Sequence, residues 1–388
     1  MEKQKILIVH NYYQIPGGED TVVANERKML EQNGHEVLLY SRNNSEIKSF
    51  SRIKKWIIPF INIFNIKSYR EAKRIIKEQK IDVVHVHNTL SLVSPSVYYA
   101  AFHCKTPVIQ TLHNFRLICP GATLYRDGHI CEDCTQFGLM CAIKYGCYRG
   151  SRIQTLACVL SIGIHRLIGT YRRIYFICLT EFNKEKILKF RQISPEQIFV
   201  KSNFSYNETS VIPYDQRENK LVYVGRIDKL KGIHILLNAW KILSPNTLEL
   251  NIYGAGPLED WCKQFIEENH LENVNMLGTI SNEDIRKVIA SSKALILATQ
   301  WYEGFPMTLV ESFSVGTPVI GSNIGNIEKL ILEGVNGWKF KCDSSLELAR
   351  AISQLRDVVK TTHSSYLQKY TVLINYTQLL EIYTRILK

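Results

Sequence analysis

The sequence has no long hydrophobic run and no low-complexity tract. Nowhere in its 388 residues do 18 apolar residues stand together without a charge, so a membrane-spanning helix is not expected. Hydrophobic side chains make up 45% of the chain and charged ones 22%, which excludes a disordered or fibrous protein. The opening sequence MEKQKILIVH contains neither a signal-peptide hydrophobic region nor a cleavage site. We expect a cytoplasmic protein of two domains, soluble or peripheral on the inner face of the plasma membrane.

Two common nucleotide-binding motifs are also missing. The chain has neither the GxGxxG fingerprint of dinucleotide-binding domains nor the Walker A sequence, so NAD-dependent hydride transfer and ATP hydrolysis lose support. No predicted strand interleaves aromatic with basic residues, which argues against a nucleic-acid-binding protein.

The positive charge is confined to the first half of the chain. The net charge is +12; residues 1–200 carry 28 Lys and Arg against 16 Asp and Glu, whereas residues 201–388 carry 20 of each. An anionic membrane surface would attract such a basic half. The alternative is a solvated helix face packed on a core. The apolar stretch Ile153–Arg173, which ends in arginines, is a second candidate for membrane contact, and a buried helix of the first domain explains it equally well. The densest basic segment consists of Lys54, Lys55, Lys67, Arg70, Lys73, Arg74, Lys77 and Lys80.

Short β-branched runs alternate with amphipathic helical stretches along the whole chain. This alternation predicts an α/β fold with parallel, doubly wound sheets. A polar break follows the fifth strand, so we expect two Rossmann-like domains facing across a cleft, at residues 1–203 and 204–364, and a helix at 365–388 that returns to the first domain. The predicted strands are Lys5–His10, Glu36–Ser41, Ile81–His87, Pro107–His113, Tyr175–Thr180, Leu221–Gly225, Leu248–Tyr253, Asn273–Leu277, Ala294–Ala298 and Pro318–Gly321.

In the first half, the candidate ligand-binding residues follow predicted strands. Gly17 and Gly18 stand before a helix, where free backbone N–H groups and the helix dipole favour an anion such as a phosphate. A simple turn explains the same glycines equally well. Three histidines, His10, His87 and His113, come at the carboxyl ends of strands, where open α/β sheets bind ligands.

The second half carries a more specific pattern. Arg226 and Lys231 follow the first strand of that domain, and together they can hold a diphosphate, Arg as a fork and Lys as a point charge. Gly254 and Gly256 open the loop after the next strand.

A later loop in the same half joins a strand to a helix and carries two glutamates. Glu303 lies in the loop, where it can meet the hydroxyls of a sugar, and Glu311 lies more than a turn inside the helix, where it can accept from a ribose diol. Between them, the N–H groups of Met307 and Thr308 stand where phosphates would bind.

Taken together, these elements resemble family 4 retaining glycosyltransferases of the GT-B fold, and the similarity spans almost the whole chain. In that family a nucleoside diphosphate sugar is held mainly by the C-terminal domain, the acceptor mainly by the N-terminal one, and the last helix crosses back. The resemblance implies hexosyl transfer in the assembly of a bacterial capsule, O-antigen or exopolysaccharide. The elements that carry it are Gly17-Gly18-Glu19, His113, Gly225-Arg226 with Lys231, Gly254-Ala255-Gly256-Pro257, and Glu303-Gly304-Phe305-Pro306 with Glu311.

The resemblance also assigns roles. It implies that Arg226 and Lys231 clamp the diphosphate, that Glu303 holds the ring hydroxyls of the donor sugar, and that Glu311 binds the ribose. Glu303 and His113, which would touch the sugar near the reacting centre, are the expected catalytic residues. The other residues implied at the donor are Gly17, Gly18, Gly254, Gly256, Phe305, Pro306, Met307 and Thr308.

The implied chemistry is transfer without a metal ion. The basic pair would neutralise the leaving diphosphate, and the sequence has no DxD-like motif where a metal would be held. A front-face route, in which the leaving phosphate helps to deprotonate the acceptor hydroxyl, is implied. We expect a UDP-sugar donor rather than GDP-mannose, and a glycan or polyprenyl-diphosphate-linked acceptor.

A cysteine-rich insertion at residues 115–150 departs from the family pattern. Its spacing, C-x11-C-x2-C-x12-C, is that of a four-thiolate structural zinc site formed by Cys119, Cys131, Cys134 and Cys147. Cys141 or His129 could replace one ligand. The alternative is a group of reduced, partly buried thiols.

Two other functions remain as alternatives to glycosyl transfer. One is a nucleotide-sugar epimerase of the same fold, although that architecture does not carry the Glu303/Glu311 element. The other is an inactive scaffold that binds glycans or lipids, which would have no need of Arg226, Lys231 and both glutamates together.

Overall fold

The computed structural model describes residues 3–14, 17–52, 56–206, 209–244 and 247–388. Contacts divide the chain into two compact units. The first extends to Ser202 and also includes Leu373–Lys388, and the second is Asn203–Val372. The returning segment therefore begins later than residue 365, where the sequence analysis placed it. The reason is packing within the second unit, where the Tyr366 hydroxyl donates to the Ser205 carbonyl oxygen at 2.9 Å.

A six-stranded parallel sheet forms the centre of the first unit. The strand order is β2-β1-β3-β4-β7-β8, and β5 pairs only with β6 in a small antiparallel hairpin. Residues Ile6–Val9 of β1 are fully buried, as expected for a central strand covered on both faces. The strands are β1 Lys5–Tyr12, β2 Glu36–Asn43, β3 Val83–Val86, β4 Val108–Leu112, β5 Tyr125–Arg126, β6 His129–Ile130, β7 Tyr175–Cys178 and β8 Ile198–Val200.

The second unit contains another six-stranded parallel sheet. Its strand order is β11-β10-β9-β12-β13-β14, and its core includes the fully buried Trp240 and Trp338. The strands are β9 Lys220–Val224, β10 Glu249–Tyr253, β11 Val274–Met276, β12 Ala294–Leu297, β13 Val319–Ser322 and β14 Gly337–Phe340.

Helices connect the strands in both units. Those of the first unit are α1 Gly18–Gln32, α2 Ile58–Ile63, α3 Ile66–Gln79, α4 Ser96–Cys104, α5 Asp133–Gln136, α6 Met140–Tyr145, α7 Arg152–Leu167 and α8 Glu181–Leu188. Those of the second are α9 Ile233–Leu243, α10 Glu259–Glu268, α11 Asn282–Ser291, α12 Met307–Ser314, α13 Gly325–Leu330, α14 Ser345–Ser353 and α15 Val359–Lys369. The last helix, α16 Val372–Leu387, packs with the first unit. Short 3-10 helices occupy Asn44–Ser49, Thr170–Arg173, Pro195–Gln197 and Tyr214–Gln216.

All ten predicted strands are present, and two Rossmann-like units of parallel strands are confirmed. The expected number of five strands in each sheet is wrong, because β8 and β14 add a sixth to each. Both occupy sheet edges and are only three or four residues long. Such short runs carry too little apolar alternation to be recognised, and the neighbouring strand supplies their pairing.

Gly232 sits where two backbones meet in the second unit. It precedes α9 with a φ of +70°, and a Cβ atom there would lie 1.8 Å from the carbonyl oxygen of Ala298. Gly278 has nearly the same φ, +69°, but a Cβ atom there would meet nothing within 4 Å. An alanine at Gly278 therefore tests the cost of the left-handed backbone alone, whereas an alanine at Gly232 tests the backbone and the steric contact together.

We expect Gly278→Ala to destabilise the protein by about 1–2 kcal/mol, the cost of a left-handed alanine. Gly232→Ala adds the clash with the Ala298 carbonyl, so its free energy of unfolding should fall by about 1–3 kcal/mol more. Urea unfolding of both variants measures the difference. Equal losses of unfolding free energy in the two variants would show that the Ala298 carbonyl moves aside at no energetic cost.

Candidate functional site

The centre of the predicted donor site is an ion pair between Lys231 and Glu303. The Lys231 Nζ atom donates to Glu303 Oε1 at 2.5 Å, although the two residues are 72 apart in sequence. Thr299, just after β12, donates its hydroxyl to the same oxygen at 3.0 Å. The side chain of Glu303 is 11% exposed and that of Lys231 is 28% exposed. The pair therefore remains accessible to a ligand from the Lys231 side.

Asp228 organises the loop after β9. Its Oδ1 atom accepts the backbone N–H of Lys231 at 2.8 Å, and its Oδ2 atom accepts from the Arg226 guanidinium. The Arg226 side chain is 58% exposed, so its other guanidinium N–H groups are accessible to solvent. The Tyr223 hydroxyl donates to the Arg226 carbonyl oxygen at 2.8 Å. Asp228 thus orients both cationic residues that the sequence assigned to a diphosphate.

Gly254 and Gly256 allow two loops of the second unit to touch. A Cβ atom on Gly254 would lie 1.9 Å from the Gly225 carbonyl oxygen, and one on Gly256 would lie 2.3 Å from the Ile227 carbonyl oxygen. Gly254 has a φ of +142°. The loops after β9 and β10 therefore pack backbone against backbone, which explains both glycines without requiring a ligand.

The Glu311 carboxyl lies inside α12, as the sequence predicted. Burial raises its pKa to about 7, and the positive charge of Arg286 opposes this rise. Ionisation of this buried carboxyl therefore depends on a positive charge or a hydrogen-bond donor nearby, and Arg286 supplies such a charge. Phe305, Pro306 and Met307 are buried at the start of the helix, whereas Thr308 is partly exposed.

Asn326 fixes the loop that carries Glu303. Its side-chain amide donates to the carbonyl oxygens of Glu303 at 2.5 Å and of Gly304 at 2.7 Å. Nothing in the spacing of the EGFP element indicated this contact. Asn326 and Asp228 are the supporting residues that the sequence analysis missed, and only Asp228 carried a signal, its place between Arg226 and Lys231.

In the first unit, a backbone N–H group of the loop formed by Gly17 and Gly18 already has a hydrogen-bond partner within the protein. The Gly17 N–H donates to Asp20 Oδ2 at 3.0 Å, so this donor is already engaged where the sequence predicted an open phosphate site. Burial and the neighbouring Asp20 raise the pKa of Glu19 to about 8, and Asn88 donates to its Oε1 atom at 2.9 Å. The loop is thus less suited to an anion than its glycines alone suggest, because Asp20 already accepts from the Gly17 N–H.

The three predicted histidines lie together at the edge of the first sheet. His87 Nδ1 is 3.0 Å from His113 Nε2, and their rings stack. The rings of His10 and His87 are 6.4 Å apart, and His10 Nε2 contacts Asp20 Oδ1 at 2.8 Å. The prediction that parallel strands bring these histidines to one edge is confirmed. Glu26 and His85, which the sequence analysis missed, lie directly behind them.

The cysteine insertion folds as the β5–β6 hairpin followed by α5 and α6. Its four predicted ligands are free thiols, and a Cβ atom on Gly121 would touch the backbone of Cys147. Burial, and then the neighbouring Cys119, Cys147 and Cys141, raises the pKa of Cys134 to about 12. No three of these sulfur atoms lie within 4.8 Å of one another, so the thiols are neighbours but do not form a closed coordination shell.

Two family models match the chain. "Glycosyltransferase Family 4" matches residues 16–130, and "Glycosyl transferases group 1" matches residues 207–363. Among curated relatives, an uncharacterized 41.2 kDa protein in the cps region of Klebsiella pneumoniae is 22% identical over 338 residues, which cover 85% of this chain and 84% of the relative.

Solved structures agree with the two matches. A glycosyltransferase from Rickettsia africae is similar to the whole chain over its own whole length, with a TM-score of 0.72 and 18% identity. The Anabaena protein HepE, crystallised with UDP and glucose, has a TM-score of 0.66 and 18% identity over 98% of this chain and all of its own. These neighbours share the GT-B architecture of two Rossmann-like domains. With matched models in both units, the chain belongs to the family 4 glycosyltransferases of the GT-B fold.

Proposed function

We propose that the chain is a retaining glycosyltransferase that moves a hexosyl group from a UDP-sugar to a glycan or polyprenyl-diphosphate-linked acceptor. The observation that carries this proposal is the Lys231–Glu303 ion pair with Arg226 beside it on Asp228. Two cations and a largely buried carboxylate thus lie together in one unit, as the binding of a diphosphate and a sugar would require. An acceptor in capsule, O-antigen or exopolysaccharide assembly is supported by the relative in the Klebsiella cps region.

In this mechanism the donor separates Lys231 from Glu303. Lys231 and Arg226 contact the diphosphate and stabilise the charge that develops as the glycosidic bond breaks, so transfer needs no metal ion. Glu303 then accepts hydrogen bonds from ring hydroxyls of the sugar, and Glu311 accepts from the ribose. The leaving phosphate takes the proton of the acceptor hydroxyl, which attacks from the same face and retains the anomeric configuration. The HepE structure with UDP-glucose supports a uridine nucleotide as the donor.

The donor is tested by incubating the purified protein with a panel of UDP- and GDP-sugars and measuring release of the nucleoside diphosphate. We expect release from one UDP-sugar, and none from GDP-mannose. Conversion of a UDP-sugar into its epimer without release would instead identify an epimerase, and binding without turnover of any sugar nucleotide would identify a scaffold.

Lys231→Ala and Glu303→Ala should each lower the rate of transfer by ~10²–10³, because each removes a polar contact with the reacting donor. Lys229→Ala is the matched control: it removes the same charge from an exposed position of the same loop and should leave the rate unchanged. Circular dichroism of each variant verifies the fold. Turnover like that of the wild type in a folded Lys231 or Glu303 variant would refute the site.

We also propose that the cysteine insertion holds one structural zinc ion through Cys119, Cys131, Cys134 and Cys147. The donor set fits zinc, since four thiolates close a tetrahedral shell and leave no position for substrate. The thiols are neighbours, since Cys119, Cys147 and Cys141 all contribute to the raised pKa of Cys134. Metal binding would also explain why Cys119 is buried and the other three thiols are partly buried, because zinc stabilises the thiolate form.

Elemental analysis should find about one zinc per chain in protein purified without chelator. Cys131→Ser with Cys134→Ser should abolish the zinc and lower the melting temperature, because the insertion loses its cross-link. Cys104→Ser, a half-buried cysteine outside the insertion, should keep the metal. If the wild-type protein contains no zinc, the zinc proposal is wrong and the four cysteines are a group of reduced thiols.

Finally, we propose that the first unit docks on an anionic membrane. Helix α7 exposes Ile153, Leu156, Leu160 and Leu167 while burying its other face, and it packs beside α2, where Phe60 is 71% exposed. Four cations of α3 are exposed: Lys67, Arg70, Arg74 and Lys77. Lys54 and Lys55 lie outside the described residues. No helix in the described part of the chain combines the length and apolar character needed to cross a bilayer.

Co-sedimentation with liposomes tests this docking. Each engaged cation contributes roughly 1 kcal/mol at an anionic surface, so we expect binding with anionic lipid at low salt and release at high salt. Phe60→Ser with Leu160→Ser should weaken binding, whereas Leu346→Ser, an exposed leucine of the second unit, should not. Recovery in the supernatant under every condition would exclude the membrane as partner.

A further inference from the structure

A line of buried polar side chains leads to His113. At its far end, Lys201 Nζ donates to Glu26 Oε2 at 3.0 Å. The other oxygen of the same carboxylate, Oε1, lies 3.3 Å from His87 Nε2. His87 Nδ1 in turn lies 3.0 Å from His113 Nε2. Lys201, Glu26 and His87 are all at most 3% exposed, so water does not complete these contacts.

Burial and the positive charge of Lys201 determine which of these side chains are ionised. Burial opposes ionisation of Glu26, but Lys201 and His85 outweigh it and hold its pKa well below the ordinary value. Burial, followed by the charge of His85, lowers the pKa of His87 to about 4. Burial and His87 likewise keep the pKa of His113 well below its usual range. The line therefore consists of an ammonium, a carboxylate and two neutral imidazoles.

A neutral imidazole carries one proton, and the carboxylate decides where it lies. Glu26 Oε1 lies 3.3 Å from His87 Nε2, and the contact is too poorly aligned to count as a hydrogen bond. The negative charge of Glu26 beside Nε2 nevertheless favours the His87 tautomer that carries its proton there. The His87 Nδ1 atom is then an acceptor and takes the proton of His113 Nε2. This leaves Nδ1 of His113 without a proton, and no hydrogen-bond partner for it is found among the described residues. The order of donors is thus fixed from Glu26 outward.

Two neighbours do not change this order. Glu26 Oε1 also lies 3.0 Å from His85 Nδ1, but the hydrogen bond of that nitrogen goes to the Tyr383 hydroxyl at 2.7 Å. The ligand atoms of Glu26, His85 and His87 are close enough to hold a metal ion. However, the ammonium of Lys201 already neutralises that carboxylate, so a proton and not a cation belongs between Glu26 and His87.

We propose that Glu26 is a positioning residue that acts through His87 to keep the proton of His113 on Nε2, so that Nδ1 of His113 accepts a hydrogen bond from a substrate hydroxyl. The inference deepens the proposed function and rests on it for the identity of the substrate. His113 follows β4 and, with Asn88 and Asn114, lines a cavity of about 80 Å³, large enough for a hydroxyl-bearing arm of a substrate. An acceptor atom here selects a hydroxyl and rejects a phosphate oxygen.

Glu26→Gln tests the order of donors directly. Lys201 needs an acceptor, so the glutamine oxygen should face Lys201 and its NH₂ group should face His87. Every hydrogen bond along the line would then reverse, and His113 would carry its proton on Nδ1. Long-range ¹H–¹⁵N spectra of ¹⁵N-histidine protein report the tautomer, with the His113 signal assigned from its loss in His113→Asn. A wild-type Nδ1–H tautomer, or no change in Glu26→Gln, would overturn the proposal.

Substitutions at His87 keep the proposal testable if Glu26→Gln fails to fold. His87→Leu removes the hydrogen bond to His113 and the contact with Glu26, so His113 should show mixed tautomers and transfer should slow by about tenfold or more. His87→Gln restores a donor toward Glu26 and an acceptor toward His113, so it should recover the Nε2–H tautomer and part of the rate. A purely structural role of His87 predicts no such rescue.

Tyr383→Phe is the matched control, since its hydroxyl contacts His85 and lies off the line. We expect a lower melting temperature with the His113 tautomer unchanged, and a changed tautomer would contradict the assigned order. The spectra need no substrate, so they decide the proton position even if no sugar nucleotide is turned over. Absence of turnover would refute the proposed function alone.

Discussion

Parallel strands end at a common edge, and the rest of this structure depends on that constraint. In the second unit it brings together the loops after β9, β10 and β12, which lie far apart in the sequence. Lys231 and Glu303 meet as an ion pair only because β9 and β12 are neighbours in the sheet. The same constraint in the first unit places His87 and His113, which follow β3 and β4, in hydrogen-bonding contact.

The two units differ in how far they expose the charged side chains at this edge. The second unit leaves its two cations accessible, with Arg226 largely exposed and Lys231 held by a single carboxylate. The first unit buries the charged pair of Glu26 and Lys201 almost completely. Glu26 is compensated by Lys201, and Asn375 of α16 accepts from the same ammonium at 2.9 Å. The buried charges therefore also hold the final helix in place, whereas the exposed charges remain ready to bind.

The supporting contacts of the proposed donor site come from two residues, Asp228 and Asn326, to which the sequence analysis gave no role. Asp228 binds the backbone of Lys231 and the guanidinium of Arg226, and Asn326 holds the backbone of the loop that carries Glu303. These contacts fix the directions of the functional side chains before a ligand arrives. Pre-organisation of this kind lowers the cost of ordering the site on binding. The two close glycine contacts at Gly254 and Gly256 serve the same end by locking the adjacent loops.

The sequence by itself determined the fold class, the ten main strands and the family, because hydrophobic periodicity and short glycine-containing loops are local properties of the chain. It also predicted Arg226, Lys231, Glu303 and Glu311 as donor-binding residues, since their spacing around two strand ends is local too. Tertiary structure alone decided which of them touch, where the edge strands β8 and β14 pair, and that α15 stays with the second unit. It also showed that Asp20 occupies the Gly17 N–H and that Glu26 lies behind the histidines. These contacts join segments that are distant in the sequence, and burial sets the charge states of the residues that make them. A pattern along the chain therefore could not predict them.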